Sequence, residues 1–181
     1  MTEERLLEII AKTFEGIAEL REEQKKTDEQ MKRTDKKLDK IAKLVGAMSN
    51  NQGDVAEEFF YNSLKHKQEL AGVHYDYIDK NITRTKGKIA DEFDIVMING
   101  SDVAIIEVKY KAHESDLEKL LTKKYSNFQK LYPMYKDYKH HLGLASFYIN
   151  DKLKEIALSR GVMILQRKGD IVETYTPYSE V

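Results

Sequence analysis

The chain has 181 residues, enough for one globular domain of ordinary size and an additional extended element. It contains no cysteine, which excludes disulfide bonds, thiolate zinc sites and a cysteine nucleophile. Charged residues reach 34%, more than a compact domain usually carries, whereas the net charge of -1 indicates no particular partner. Because the sequence shows neither a signal peptide nor a membrane-spanning apolar run, we expect a cytoplasmic protein that does not bind a membrane.

A heptad repeat occupies residues 1–48. Its seam positions follow one another at alternating steps of four and three residues: Leu6, Ile10, Thr13, Ile17, Leu20, Gln24, Thr27, Met31, Thr34, Leu38, Ile41 and Val45. This period predicts a long coiled-coil helix that joins copies of the chain, with a homodimer as the expected assembly. The alternatives are a helix that folds back on its own domain and a basic arm for nucleic acid. The balance of acidic and basic residues argues against the arm.

The polar cluster at residues 49–53 predicts a break in the helix and the start of a second domain, at residues 51–181. The expected order there is helix, three strands, helix, strand, helix, strand, strand, over residues 54–64, 73–78, 92–98, 103–110, 115–131, 142–149, 151–160, 162–166 and 171–175. We expect a turn at residues 81–89 with Gly87 at its tip, and Ser115 as the N-cap of the second helix. This order predicts an α/β domain with a central mixed sheet flanked by helices.

Two acidic residues and a lysine interrupt the apolar strands of the predicted hairpin. Asp94 lies in the first strand, and Glu107 and Lys109 lie in the second. Because side chains alternate along a strand, Glu107 and Lys109 share one face and Val108 points to the other. Charged groups within buried strands are costly unless they are paired or bind a metal ion.

These residue types suit phosphodiester hydrolysis. Two converging carboxylates hold Mg²⁺ or Mn²⁺, which polarises the phosphoryl group and acidifies a water molecule. Lys109 would orient or deprotonate the attacking water, or stabilise the negative charge of the transition state; the sequence leaves these roles open.

The arrangement of Asp94 and Glu107-Val108-Lys109 resembles the signature of the PD-(D/E)XK, or restriction-endonuclease-like, nuclease superfamily, over residues 51–176. Phe93 stands where that signature has proline. The segment Gly53–Glu57 is similar to the opening helix of Holliday-junction resolvase-like members, whose glutamate joins the metal site. The resemblance therefore implies Glu57, with Glu58 as the alternate, as a further catalytic and metal-binding residue. A heptad helix before such a domain also resembles a class of prokaryotic coiled-coil proteins.

Further candidates lie on the helix after the motif and in the loop before it. The resemblance implies a polar residue of this helix beside the active site, and Gln129 is the candidate. Basic residues in both segments are candidates for contacts with nucleic acid: Arg84, Lys86, Lys88, Lys123 and Lys124. Charged side chains on a solvated surface are the alternative interpretation.

The sequence thus leads to two functional hypotheses, beside the alternative of an unrelated α/β domain in which the acid-x-Lys strand arises by chance. The first is a metal-dependent nuclease that hydrolyses DNA, with RNA as a second possible substrate, and that is dimerised by its coiled coil. The alternative is a catalytically silent nuclease fold that binds DNA or serves as a scaffold. Retained charges at Asp94, Glu107 and Lys109 favour the first.

Overall fold

The structure of the protein is a computed structural model. It describes residues 3–177, apart from the side chains of several residues in the N-terminal helix. That helix, α1, runs from Glu3 to Lys67. The expected break at residues 49–53 is wrong, because these residues are helical. Serine, asparagine and glycine lower helix stability by only about 0.5–1 kcal/mol each relative to alanine. Burial of Ala56, Phe60 and Leu64 in the following turns offsets that cost.

The contacts within the chain form two compact units, Met1–Ser49 and Asn50–Val181. In the first unit, the apolar seam side chains that are described are 42–66% exposed: Ile17, Leu20, Met31, Leu38, Ile41 and Val45. The predicted seam positions Leu6 and Ile10 lie outside the described side chains. No helix within residues 3–177 combines the length and apolar character that crossing a membrane requires.

The second unit contains the predicted mixed sheet. A short antiparallel pair of strands, β1 (Glu69–Leu70) and β2 (Val73–His74), first follows α1. The six strands of the main sheet then lie side by side in chain order: β3 (Tyr77–Lys86), β4 (Ile89–Ile98), β5 (Asp102–Lys111), β6 (Lys139–Tyr148), β7 (Val162–Lys168) and β8 (Ile171–Tyr175). The β5–β6 and β6–β7 pairs are parallel, and the others are antiparallel.

Helices cover the sheet and supply its parallel connections. Between β5 and β6 the chain forms α2 (Glu114–Lys119), a π-helical turn (Leu120–Lys124), α3 (Tyr125–Leu131) and a short 3₁₀ turn (Pro133–Tyr135). Between β6 and β7 it forms α4 (Asp151–Ser159). This confirms the α/β architecture that the sequence predicts, with a long N-terminal helix before a mixed sheet flanked by helices.

The C-terminal part of α1 packs on one face of the sheet. Phe60 lies in a buried cluster with Ile95, Ile106 and Val108. On the other face, Phe128 of α3 packs with Phe93 and with residues of β5. The central strands are therefore covered on both sides, which explains their continuous apolar sequence.

Two local predictions are wrong. Strand β3 continues to Lys86, so residues 81–86 are not a turn; only Gly87 and Lys88 separate β3 from β4, and Gly87 has the left-handed φ of 61° that a tight turn requires. Helix α2 begins at Glu114 rather than after Ser115. His113 is its N-cap, and the backbone N–H of His113 donates a hydrogen bond of 2.9 Å to Asp116 Oδ2. This bond satisfies the backbone donor of the N-cap residue.

Candidate active site

Asp94 and Glu107 are buried carboxylates on adjacent strands. Each is 9% exposed. The pairing of β4 with β5 places Ile95 opposite Ile106, so Asp94 and Glu107 occupy the next position along the two strands. Asp94 Oδ2 accepts a hydrogen bond of 2.7 Å from the backbone N–H of Val108. The carboxylate thereby acts as the hydrogen-bond acceptor for a strand N–H that a backbone carbonyl of the neighbouring strand would usually accept from.

Lys109 lies between the two carboxylates. Its Nζ donates hydrogen bonds to Glu107 Oε1 at 2.7 Å and to the Val108 carbonyl at 2.9 Å, and lies 3.6 Å from Asp94 Oδ2. The side chain of Val108 packs in the core on the other face, as strand alternation predicts. Lys109 therefore contacts both Asp94 and Glu107 in the folded chain.

Burial and charge act against each other in this cluster. Burial, followed by repulsion from Glu107, raises the pKa of Asp94 to about 6, although Lys109 and the Val108 N–H act to lower it. Burial alone would lower the pKa of Lys109, but attraction from Asp94 and Glu107 outweighs it and the pKa is raised. Lys109 is consequently an ammonium group at neutral pH in this arrangement, rather than a base.

Lys124 is a second cation at the site. Its Nζ lies 3.3 Å from Glu107 Oε2 and 3.4 Å from Asp91 Oδ1, and it donates a hydrogen bond to the Glu92 carbonyl. Burial acts to lower the pKa of Lys124, but the surrounding carboxylates raise it overall, with Glu107 contributing most. The sequence predicts Lys124 on a nucleic-acid-binding surface, and its contacts with Glu107 and Asp91 are not expected from it.

The π-helical turn explains why Lys124 reaches the carboxylates. This turn, Leu120–Lys124, ends at Lys124 and inserts an extra residue relative to α-helical geometry. No periodicity in the sequence signals such a turn, so the position could not have been found from helical spacing. Turns of this kind frequently occur at functional sites.

Asp91 and Asn127 complete this side of the site. Asn127 Nδ2 donates a hydrogen bond of 2.7 Å to Asp91 Oδ2. Burial acts to raise the pKa of Asp91, but this hydrogen bond and the charge of Lys124 lower it overall. Asp91 therefore serves as a fixed negative partner for Lys124. In the sequence, only the position of Asp91 three residues before Asp94 indicates that it lies near the site.

The structure separates Gln129 and Lys123 from this cluster. Both side chains are exposed, and among the described residues neither makes a hydrogen bond or ion pair with the carboxylates. Phe128, the residue before Gln129, is instead buried against Phe93 at a ring-centroid distance of 5.3 Å. The helix thus contributes Lys124, and not Gln129, to the contacts around Glu107.

Glu57 and Glu58 point to different surroundings. Burial raises the pKa of Glu57, while a hydrogen bond from the Asn81 side chain and the charge of Lys109 act to lower it. Glu58 accepts hydrogen bonds from Lys80 and, at 2.9 Å, from Asn62 Nδ2. Glu57 therefore interacts electrostatically with Lys109 of the site, whereas Glu58 is bound to Lys80 and Asn62 outside it.

Asn81 marks a distortion next to Asp94. It has a φ of 53°, and it falls with Asp94 at a gap in the β3–β4 pairing, between the pairs Lys80–Ile95 and Ile82–Phe93. Ile95 packs on the α1 face of the sheet, yet Phe93, two residues away, packs on the α3 face. Side chains two residues apart normally share a face. The strands therefore change their alternation at Asp94, which sets the direction of its carboxylate.

The basic residues of the β3–β4 hairpin are less uniform than their sequence suggests. Arg84 stacks over the Tyr132 ring, with its guanidinium carbon 4.5 Å from the ring centroid. Lys86 and Lys88 lie exposed on either side of the turn. Arg84 is thus partly engaged within the domain, and the two lysines remain accessible to an anionic ligand.

The carboxylates fit a divalent cation held partly by solvent or substrate. Asp94 and Glu107 both contact the Lys109 ammonium group, and Glu107 also contacts Lys124. Among the described residues, no group of three or more histidine, cysteine, aspartate or glutamate side chains forms a metal cage. Mg²⁺ commonly uses one or two carboxylates and fills its remaining positions with water and phosphate. Two carboxylates therefore suffice for such an ion.

Comparisons with known proteins show only distant similarity. No protein-family profile matches the sequence, and no curated protein matches it significantly. The protein is similar to Can2 from Sulfobacillus thermosulfidooxidans, whose structure is known in complex with cyclic tetra-adenylate. The TM-score is 0.47 and the identity 19%, over 62% of this chain and 32% of Can2. The chain thus spans about a third of the length of Can2.

A second similar structure is the FdxN element excision controlling factor protein from Anabaena variabilis. The TM-score is 0.42 and the sequence identity is 18%, over 69% of this chain and 99% of the other. At these levels of similarity, neither protein assigns a role to any residue here. The chemistry of the site is inferred from its own geometry.

Proposed function

We propose that this protein is a Mg²⁺- or Mn²⁺-dependent nuclease that hydrolyses phosphodiester bonds of DNA, with RNA as the second substrate to test. The supporting observation is the contact of Lys109 with both buried carboxylates, Asp94 and Glu107. Two carboxylates and a lysine on adjacent strands provide a cation site and a positive donor for a phosphate group. We further propose that it works in the cytoplasm as a homodimer joined through residues 1–48.

Each residue has a distinct part in this proposal. Asp94 and Glu107 would hold the divalent cation, which would supply Lewis-acid stabilisation of the phosphate charge. Lys109, as an ammonium group, would donate a hydrogen bond to the attacking water or to a phosphate oxygen. Glu57 would accept a hydrogen bond from the water on the α1 side, and Lys124 would balance the charge of Glu107.

The nucleic-acid backbone requires further positive groups. Lys86 and Lys88 in the hairpin, and Lys123 within the π turn, are exposed and free to approach phosphates. Arg84 would keep its contact with Tyr132 and add charge to the same hairpin. Because such contacts are electrostatic, binding should weaken steeply as salt concentration rises.

Cleavage assays with defined substrates test the proposal. The purified chain is incubated with supercoiled, linear, single-stranded and branched DNA and with RNA, in Mg²⁺, Mn²⁺ or EDTA. We expect cation-dependent cleavage that falls by at least about 100-fold in Asp94→Ala, Glu107→Ala and Lys109→Ala. Gln129→Ala, an exposed change on the same domain, serves as the matched control and should retain activity.

The outcomes distinguish the two hypotheses. Cleavage that survives Lys109→Ala would point to a contaminating nuclease and would contradict the proposal. Salt-sensitive DNA binding without cleavage of any substrate would favour the alternative of a silent, DNA-binding or scaffold protein. Isothermal titration that detects no Mg²⁺ or Mn²⁺ binding to the intact chain would also rule out the metal-dependent reaction.

A further inference from the structure

The exposed seam of α1 indicates how two α1 helices pair with each other. Ile17, Leu20, Leu38 and Ile41 are each at least 42% exposed, although all lie at seam positions of the heptad. We infer that two copies of this chain pair through α1 in antiparallel orientation, with residue 29 of both helices at the two-fold axis. This inference rests on the homodimer proposed above and adds its orientation, but it does not depend on the proposed nuclease activity.

The antiparallel register matches seam residues of similar character. With residue 29 at the axis, positions whose numbers sum to 58 face each other across the seam. Ile17 then meets the partner's Ile41, and Leu20 meets the partner's Leu38, so large apolar side chains pack together. Gln24 meets the partner's Thr34, which places the polar seam residues in a common layer.

Threonines at the seam are compatible with this packing. Thr27 Oγ1 donates a hydrogen bond of 3.0 Å to the Glu23 carbonyl, and Thr34 Oγ1 donates one of 3.0 Å to the Gln30 carbonyl. Because these hydroxyl groups are satisfied within their own helix, burial of the threonines leaves no unpaired donor. In the proposed register, Thr27 lies beside the partner's Met31.

Charges beside the seam select the antiparallel orientation. The flanking positions of the heptad are Arg21, Asp28 and Asp35 on one side and Glu23, Gln30 and Lys37 on the other. In the antiparallel register, Arg21 faces the partner's Asp35 and Glu23 faces the partner's Lys37, and both pairs occur twice by symmetry. Asp28 faces the partner's Asp28, a single unfavourable contact at the axis.

The parallel in-register alternative lacks these attractions. Each flanking residue would then face the partner residue five positions away in the sequence, after it for Glu23 and Lys37 and before it for Arg21. Glu23 would therefore meet the partner's Asp28, and this contact occurs twice. Arg21 would meet a glycine, and Lys37 would meet an alanine. Within the part of the chain that the structure describes, Arg21, Glu23, Asp35 and Lys37 form no ion pair of their own. These charges are available to a partner helix.

The orientation has a consequence for the α/β units. In the antiparallel pair, residue 50 of one chain lies level with residue 8 of the other. At 1.5 Å per residue, the two Asn50 positions are about 60 Å apart along the axis. A parallel pair would instead place them side by side. The antiparallel form thus separates the two Asn50 positions along the helix axis, whereas the parallel form does not.

Cysteine cross-linking tests this arrangement directly, because the chain has no cysteine of its own. Leu20→Cys and Leu38→Cys variants, carrying different tags, are oxidised separately and as a mixture. A disulfide requires Cα atoms within about 7 Å, whereas the two copies of position 20 in an antiparallel pair are about 27 Å apart along the axis. We expect cross-links only between the two different variants.

Two other results would overturn the inference. Cross-links within each single variant would demonstrate a parallel pair. A single-chain mass for the unsubstituted protein in light scattering, at concentrations used for cross-linking, would exclude pairing altogether. Because a cysteine could weaken the seam, this measurement on the unsubstituted chain keeps the test decisive.

Charge reversal provides an independent test. Arg21→Asp and Asp35→Arg should each raise the dimer dissociation constant by about tenfold, and the double variant should restore it to within about threefold. Lys32→Asp, with the same charge change at an outward-facing exposed position, is the matched control. Equal effects of Arg21→Asp and Lys32→Asp, or no rescue in the double variant, would contradict the antiparallel register.

Discussion

The backbone N–H of Val108 donates a hydrogen bond to Asp94 Oδ2 at 2.7 Å. A side chain of β4 thereby satisfies a strand donor of β5 at the point where the register reaches the candidate site. The bond holds one carboxylate oxygen of Asp94 toward the sheet. Its position is therefore set by the backbone of the strand that carries Glu107 and Lys109.

Neutralising Asp94 should stabilise the folded chain at neutral pH. The Asp94→Asn substitution keeps an oxygen that accepts the Val108 hydrogen bond and removes a buried charge whose pKa is raised to about 6. We expect a higher free energy of unfolding at pH 7.5 for the variant, measured by urea denaturation, together with loss of cation-dependent cleavage. Asp137→Asn, which neutralises an exposed carboxylate, is the control. A less stable Asp94→Asn chain would contradict this electrostatic account.

The same group predicts a pH dependence of stability. Its pKa is about 6 in the folded chain against 3.8 for an unperturbed aspartate, so the folded state keeps a proton that the unfolded state has lost. Stability should therefore fall as pH rises from about 4 to 6, by up to about 3 kcal/mol at 1.36 kcal/mol per pKa unit. Subtracting the Asp94→Asn profile isolates this contribution. Parallel profiles for the two proteins would show that Asp94 has an ordinary pKa.

Removal of Lys124 should strengthen cation binding and weaken catalysis. Lys124 Nζ lies 3.3 Å from Glu107 Oε2 and competes with a divalent cation for that charge. In Lys124→Met, isothermal titration should give tighter Mg²⁺ binding, whereas cleavage should slow by about tenfold or more because a positive group is lost. Lys119→Met removes an exposed lysine of α2 and should change neither value by more than about twofold. Unchanged Mg²⁺ affinity in Lys124→Met would show that the contact is not competitive.

Asn81 should be replaceable by glycine but not by alanine. Its φ of 53° is readily adopted by glycine, whereas alanine pays about 1–2 kcal/mol there. Chemical denaturation should therefore show Asn81→Gly to be the more stable variant by about that amount. Both variants lose the side-chain amide that hydrogen bonds with Glu57, so both should cleave more slowly. Equal stabilities would indicate that the left-handed conformation is absent in solution.

The α/β unit should fold without the heptad helix. A chain of residues 51–181 retains Ala56, Phe60 and Leu64, which are at most 5% exposed. We expect a cooperative thermal transition and a single-chain mass for this fragment. The same fragment carrying Phe60→Ala should lose about 3–5 kcal/mol of stability, because a large buried ring is removed. A non-cooperative transition in the unsubstituted fragment would show that residues 1–50 are needed for folding.

Period and residue type were sufficient to predict the general architecture. Strand alternation placed Val108 in the core and Glu107 with Lys109 on the other face, because alternation depends only on neighbouring residues. The predicted hairpin of β4 and β5 follows from two apolar runs separated by Asn99-Gly100-Ser101-Asp102. The predicted break at residues 49–53 failed because the residues after it are anchored by packing, which local propensity does not measure.

The amino-acid sequence by itself determined the α/β order, the heptad period and the presence of Asp94, Glu107 and Lys109 on neighbouring strands, since each depends on local spacing. Tertiary structure alone decided that Lys124 contacts Glu107, that Glu57 rather than Glu58 feels the charge of Lys109, and that Gln129 is exposed. Those contacts depend on a π-helical turn and on the left-handed residue Asn81. Both shift side-chain directions by amounts that only packing between distant segments can stabilise.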